Sequence, residues 1–312
     1  MLSIIIPVYN SELTISTTVD KLAEQLDKKI EYEIILVNDG STDSSYQKCR
    51  QIAESNDFIK FISLSKNFGQ HNAMFAGLKF VEGDFAVILD DDLQTPPEEI
   101  WKFIDKINEG YDVVYANYIY KNHNIFRNIG SNVNAVMANI LLNKPRNIKT
   151  SSYCIIRKYL IKEILKYEGP YPYVHGLVLS LTKSIGAVSI SHSSRMYGRS
   201  NYNYLKLFRL WLNGFTNFSV KPLRIAFFFG LLCSFTGFVL ALILLIRKLL
   251  EPLLVLGWTS TILTILFFSG IQLISVGLIG EYVGRIFMSQ NKQPQYAIKE
   301  TFNTGSKKQS VE

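Results

Sequence analysis

The run Phe85-Ala86-Val87-Ile88-Leu89-Asp90-Asp91-Asp92-Leu93-Gln94-Thr95-Pro96-Pro97 constrains this chain more than any other stretch. Five uninterrupted apolar or small residues suit a strand covered on both faces of a sheet. Three carboxylates follow where that strand should leave the sheet. Adjacent acids repel one another and resist desolvation unless a cation compensates them. Pro96 and Pro97 then stop the strand, and Pro97 suits the first turn of a helix. In extended backbone Asp90, Asp92 and Gln94 point the same way, so two carboxylates and an amide oxygen could converge on one hard divalent ion. A solvated acidic turn is the plainer alternative for the three acids taken alone.

With 312 residues the chain is long enough for one large domain and a second part. The net charge of +7 comes from scattered basic residues rather than blocks, which disfavours nucleic acid. A basic protein with mean hydropathy above zero points toward an anionic membrane surface instead. The 3 cysteines, Cys49, Cys154 and Cys233, are far apart and read as reduced bystanders. The first residues show no basic segment before a long apolar one, since Ile4–Ile6 is cut off by Pro7, so the first domain is expected in the cytosol.

Up to about residue 115, short apolar strands alternate with amphipathic helices. Strands are expected at Leu2–Val8, Glu33–Val37, Ile59–Ser63, Phe85–Leu89 and Val113–Tyr115. Leu13, Val19, Leu22 and Leu26 keep a roughly helical period between the first two. The alternation predicts a mostly parallel sheet with helices on both faces, whose ligands bind beyond the carboxyl ends of the strands. The polar clusters fall at those ends: Tyr9-Asn10-Ser11-Glu12, Asn38-Asp39-Gly40-Ser41-Thr42-Asp43 and the triple aspartate. No GxGxxG follows the first strand and no GxxxxGK[ST] occurs, so the dinucleotide and P-loop readings lose their main support.

Extended to Glu98, the acidic run reads Asp-x-Asp-Leu-Gln-x-Pro-Pro-Glu. It resembles the metal-binding motif of inverting family 2 glycosyltransferases with the GT-A fold. Within them it is similar to the polyprenyl-phosphate sugar transferases, such as bactoprenol glucosyltransferases and dolichol-phosphate mannose synthases. The resemblance implies an α/β, Rossmann-like GT-A domain holding Mg2+ or Mn2+ on Asp90, Asp92 and Gln94. Pro7 to Glu12 and Val37 to Asp43 look like the two nucleotide-binding turns of that family, and Ser65 to His71 fits its Asn-x-Gly segment. The donor nucleotide would then meet Pro7, Tyr9, Asn10, Glu12, Asp39, Asn67 and Asp91. Physically, Tyr9 offers a flat surface for a base, and Asp39 an acceptor for a base N–H. By itself, Asn38-Asp39-Gly40-Ser41 reads as a turn with a helix cap at Ser41 or Asp43. His71 and His175 receive no role.

Arg127 and Ser131 lie four apart, on one face if Ile125–Leu142 is helical. The resemblance implies that this pair holds the acceptor phosphate, which an arginine can grip bidentately. Arg195-Met196-Tyr197-Gly198-Arg199-Ser200-Asn201-Tyr202 resembles the family's Arg-x-x-Gly-x-Ser-x-Tyr loop. That adds Arg199 and Ser200 on the acceptor side and gives Arg195 and Arg127 catalytic roles beside Asp90 and Asp92. One departure stands out: the arginine the family carries after Val113–Tyr115 is replaced here by Asn117 and Tyr118.

Asn203–Ser219 mixes aromatic and cationic residues, as a helix lying in a membrane interface does. Ile225–Ile246 and Pro252–Gly280 carry no charge, and each exceeds the ~20 residues needed to span a bilayer. Lys206, Arg209, Lys221, Arg224, Arg285 and Lys292 flank the pair against Arg247 and Lys248 between them, which places both termini in the cytosol. Gly280-Glu281-Tyr282-Val283-Gly284-Arg285 resembles the family's post-membrane signature. The expected layout is a catalytic domain at 1–200, an interfacial helix at 201–222, two spans within 223–281 (about 225–246 and 254–280) and a tail at 282–312, disordered after about Pro294.

The implied reaction passes a sugar from a nucleoside-diphosphate sugar, UDP- or GDP-linked, to a polyprenyl phosphate at the cytosolic side of the plasma membrane. A homo-oligomer is left open. Two other readings compete. A family 2 transferase acting on a hydroxyl acceptor would need a carboxylate base and often a Gln-x-x-Arg-Trp motif, which this sequence lacks. A non-catalytic, membrane-anchored sugar-nucleotide-binding protein sits poorly with an intact Asp90, Asp92 and Gln94.

Overall fold

Leu2–Val8 (β1) forms the buried axis of the sheet, with all seven residues shielded. Tyr32–Asn38 (β2) and Phe85–Ile88 (β4) flank it in parallel, and Ile59–Leu64 (β3) runs parallel beyond β2. Cys154–Arg157 (β6) pairs antiparallel with β4 and with Val113–Tyr118 (β5), and Ile185–Ile190 (β7) runs parallel to β5. Ile298–Phe302 (β8) closes the far edge antiparallel to β3, giving the order β7-β5-β6-β4-β1-β2-β3-β8. This computed structural model describes residues 1–27, 29–92, 95–118, 150–170, 172–190, 221–250, 258–291 and 294–305. They divide into two compact units, Met1–Leu207 with Lys292–Glu312, and Phe208–Asn291.

The strands fall where the apolar runs predict them, and β5 continues to Tyr118. Helices Ile15–Leu26 (α1), Ser45–Glu54 (α2), Gln70–Leu78 (α3) and Ile100–Asn108 (α4) alternate with them, α4 entered through a tight turn at Pro97–Glu99. Ile15, Val19, Leu22 and Leu26 form the buried face of α1. Leu13, assigned to that face by its spacing, lies before the helix and is 65 % exposed. On α3, Gly77 permits a close approach to the sheet, because a Cβ there would sit 2.6 Å from Ile5 Cγ2. Lys158–Ile164 (α5) and Val174–Leu181 (α6) complete the helices of this unit.

Two features escape hydrophobic patterning. Lys60 on β3 and Glu33 on β2 are both buried and pair at 2.6 Å, and Lys60 Nζ also donates to the Phe80 carbonyl. Glu33 also accepts from the Ser3 hydroxyl and the Glu82 amide, so its charge is held by two hydrogen bonds and one ion pair. The second feature is the tail. Polar composition predicted disorder after Pro294, yet β8 adds to the open edge of β3, whose unpaired amides and carbonyls favour any strand that can reach them. Asn303 Nδ2 reaches the carbonyls of Ala53, Asn56 and Ile59, and Arg50 pairs with Glu300, which fastens this strap to α2 and its exit.

In the other unit, Lys221–Leu250 (α7) and Trp258–Gln290 (α8) are long, apolar and in mutual contact. Phe227, Phe235, Phe238, Leu273 and Ile274 are exposed, so apolar side chains lie open along both helices. Among the described residues, Phe267–Gln290 is the one stretch that passes the length and composition test for crossing a membrane, and Ala226–Val239 is a shorter apolar one. The second helix is described from Trp258 and runs past the expected 280 to Gln290, while residues 251–257 lie outside the described residues. The expected helices at 125–142 and 203–219 lie outside the described residues.

Lys60→Met leaves the Glu33 carboxylate buried without its cation, and it should cost about 3–5 kcal/mol of stability in chemical denaturation. Adding Glu33→Gln, which keeps the acceptor for Ser3 and Glu82, should restore most of it; no recovery would mean that packing rather than charge accounts for the loss.

Candidate active site

Proline has no N–H, and that shapes the carboxyl edge of the sheet. Along β1, alternate residues bond to β2 and to β4. The last rung on the β4 side runs from the Leu89 amide to the Ile5 carbonyl at 3.0 Å. The next would need an amide on residue 7, which Pro7 lacks, so the strands part there. The chain then turns at Asp91–Asp92 rather than staying extended. The expectation that Asp90 and Asp92 share an extended face is therefore not met, and Gln94 lies outside the described residues.

Four turns meet at this edge, and hydrogen bonds join them in a closed ring. The Asp91 carboxylate turns back to accept from the Tyr9 amide at 3.3 Å and from the Ser11 hydroxyl. The first turn bonds to the second through Asn10, whose Oδ1 accepts the Thr42 amide at 2.9 Å and whose amide donates to Ser41 Oγ. Glu12 caps the start of α2 by accepting the Ser44 amide at 3.0 Å. From the second turn, buried Asp39 accepts the amides of Phe68 and Gly69 at 2.7 and 2.9 Å, which holds the third. Gln70, at the head of α3, closes the ring by donating through Nε2 to Asp90 Oδ1 at 2.8 Å. Ser152, just before β6, donates to the other Asp90 oxygen.

The glycine in Asn38-Asp39-Gly40 is required by this arrangement. Gly40 has φ +62°, and a Cβ there would lie 2.3 Å from the Lys66 carbonyl carbon. Asp43, one residue before the Ser44 N-cap of α2, accepts the Ser45 amide at 3.0 Å. Burial pushes the Asp91 carboxyl up to about 7, and the charges of Asp90 and Asp92 add to the rise against the Ser11 and Tyr9 hydrogen bonds.

The ring thus gathers Pro7, Tyr9, Asn10, Glu12, Asp39, Asn67, Asp90, Asp91 and Asp92 at one edge, with Tyr9 and Asn67 exposed. Both Asp39 oxygens are already used by backbone amides. Arg127, Ser131, Arg195, Arg199 and Ser200 lie outside the described residues. Sequence reasoning did not single out Ser11, Gln70 or Ser152. Ser11 lies inside the first named turn and Gln70 follows the Asn-x-Gly segment, whereas Ser152 carried no signal.

A sequence profile for glycosyl transferase family 2 matches residues 3–165. The chain belongs to glycosyl transferase family 2. A second profile, the GtrB C-terminal hairpin, matches residues 221–286 of this family 2 transferase. It is similar to an uncharacterized glycosyltransferase of Bacillus subtilis, at 35% identity covering 98% of this chain and 95% of the relative. It is also similar to the undecaprenyl-phosphate 4-deoxy-4-formamido-L-arabinose transferase of Proteus mirabilis, at 34% identity covering 95% and 92%. Its fold is that of glucosyl-3-phosphoglycerate synthase from Mycobacterium tuberculosis, solved with Mn2+, UDP-glucose and phosphoglyceric acid, with a TM-score of 0.52, 18% identity, and 69% and 76% of the two chains covered.

The donors at this edge fit a hard divalent cation. Asp90 and Asp92 are carboxylates, Asp90 accepts from the neutral Gln70 amide and Ser152 hydroxyl, and Asp91 is occupied by the first turn. Among the described residues no three acidic, imidazole or thiol groups converge. Mg2+-type sites are commonly completed by substrate phosphates beside one or two carboxylates, which suits this arrangement.

Beside the head of α3, His71 stacks edge-on against Tyr173 at 4.7 Å and His175 at 5.4 Å, and His175 meets Tyr115 at 5.6 Å. Burial lowers His71 to about 4 and, with the neighbouring His71, lowers His175 to about 3. Both imidazoles are therefore neutral near pH 7, and neither is poised as a general acid.

An imidazole with a folded value below its unfolded one, near ~6.5, takes up its proton preferentially in the unfolded chain. The stability it confers is whole above about pH 6.5 and is lost progressively as pH falls from there to the folded value, at about 1.4 kcal/mol per pH unit. His175→Phe should therefore make the fall in stability between pH 7 and pH 5 shallower in denaturation curves. Parallel curves for the two proteins would rule out His175 as the acid-labile group.

Proposed function

We propose that this family 2 transferase moves a sugar from a nucleoside-diphosphate sugar to a polyprenyl phosphate, undecaprenyl phosphate in a bacterial source. One observation carries the reading: an acidic turn at the carboxyl edge of parallel strands and a pair of long apolar helices occur in one chain. The donor is water-soluble, so a lipid-embedding segment is needed only if the acceptor resides in the membrane. The name of the Proteus mirabilis relative, which aligns over both parts, supports the same acceptor class here.

In this reading Asp90, Asp92 and Gln94 would hold Mg2+ or Mn2+, which when bound supplies neutralising charge to the diphosphate that leaves. The Tyr9 ring and the Asp39 carboxylate frame the base, while Pro7, Asn10, Glu12, Asn67 and Asp91 shape the turns around it. Arg127 and Ser131 grip the acceptor phosphate, and Arg195, Arg199 and Ser200 add positive charge and a hydroxyl beside the reacting groups. An oxygen of the acceptor phosphate bonds to the anomeric carbon as the bond from that carbon to the diphosphate breaks, which inverts its configuration. A phosphate monoester has a second pKa near ~6 and is largely a dianion at neutral pH, so the step needs no strong protein base. Basic residues outside the helix pair favour a cytosolic catalytic domain and cytosolic termini.

In membranes supplied with undecaprenyl phosphate and a panel of UDP- and GDP-sugars, the wild type should make an acid-labile lipid-linked sugar. Asp92→Asn should lower that rate on the order of 100-fold, the scale of losing one electrostatic stabiliser, and excess EDTA should abolish it. Transfer only to hydroxyl-bearing acceptors, or transfer undiminished by EDTA, would overturn the reading.

A further inference from the structure

Asp90 is gripped from two sides by groups that the reaction scheme does not use. The antiparallel register of β4 and β6 pairs Ile88 with Cys154 and Phe85 with Arg157. Continued two residues past Ile88, that register sets Ser152 opposite Asp90, and the Ser152 hydroxyl donates to Asp90 Oδ2. From the other side Gln70 Nε2 donates to Oδ1 at 2.8 Å. The Gln70 backbone is itself constrained, since Asp39 holds the amides of Phe68 and Gly69 immediately before it. His71, immediately after it, packs against Tyr173 and His175.

Both donors are neutral. A lysine or arginine in either place would cancel the charge a cation needs, whereas an amide and a hydroxyl orient the carboxylate and leave it anionic. We propose that Gln70 and Ser152 are positioning residues that fix the plane of the Asp90 carboxylate for a divalent cation, without themselves touching donor or acceptor. The assignment rests on the reading of Asp90 as a metal ligand. It also links the cation to two distant parts of the chain, the third turn through Gln70 and the start of β6 through Ser152.

The test uses the purified full-length protein in detergent, without nucleotide, and reads Mn2+ binding from the electron paramagnetic resonance signal of the free ion. Gln70→Ala and Ser152→Ala should each weaken Mn2+ binding by about 10- to 100-fold, the usual effect of removing an outer-shell partner. Ser152→Thr keeps the hydroxyl and should bind Mn2+ more tightly than Ser152→Ala. In turnover, the Mn2+ concentration giving half the maximal rate should rise with the dissociation constant, while kcat at saturating Mn2+ falls much less. Gln70→Asn keeps the amide but shortens its reach by one methylene, so it should weaken Mn2+ as Gln70→Ala does, and it serves if an alanine variant fails to fold. Unchanged Mn2+ affinity in folded Gln70→Ala or Gln70→Asn, and in Ser152→Ala, with a wild type that binds Mn2+, would overturn this inference alone. A wild type that binds no Mn2+ either alone or with UDP or GDP present would overturn the metal reading of Asp90 along with it.

Discussion

The carboxylate of Asp91, folded back onto the Tyr9 amide and the Ser11 hydroxyl, is the contact on which the shape of the candidate site depends. Three adjacent acids at a strand end would otherwise splay apart by repulsion. Turning the middle one inward costs desolvation, visible in its raised pKa, and the two donors offset part of that cost. The same turn ties the end of β4 to the end of β1, the two strands that separate at Pro7.

From that tie the hydrogen-bonded ring runs through Asn10 and Thr42, then through Asp39 and Gly69, and returns to Asp90 by way of Gln70. Each link joins a side chain of one turn to the backbone or side chain of the next. Loops of this kind have little apolar surface to bury, so their order comes from such bonds. The shielded strands β1 and β2 supply the rigid base, and a ring built on them can hold polar groups in a fixed relation without a ligand.

Much of this was legible beforehand, for identifiable reasons. The strands β1 to β5 declared themselves because strands shielded on both faces are mostly apolar. The turns declared themselves because glycine, asparagine and aspartate cluster where the backbone reverses, as at Gly40 with its positive φ. Leu13 misled because helical spacing does not say where a helix begins. The tail misled because composition measures what a segment can bury alone, whereas β8 draws its order from the open edge of β3. The Glu33–Lys60 pair was invisible because two charges in apolar strands give no sign of facing each other until β2 and β3 are in register.

The residues alone determined which segments are buried strands, that acids stand at the end of the fourth, and that long apolar stretches follow the catalytic part. Those properties are local, since each depends on a few consecutive side chains and their affinity for water. Only the tertiary structure decided that Asp91 turns inward, and that Asp90 is held by Gln70 and Ser152, which lie 20 and 62 residues away in sequence. Such contacts depend on strand order and register, and these are set by the packing of the whole sheet rather than by any short stretch of chain.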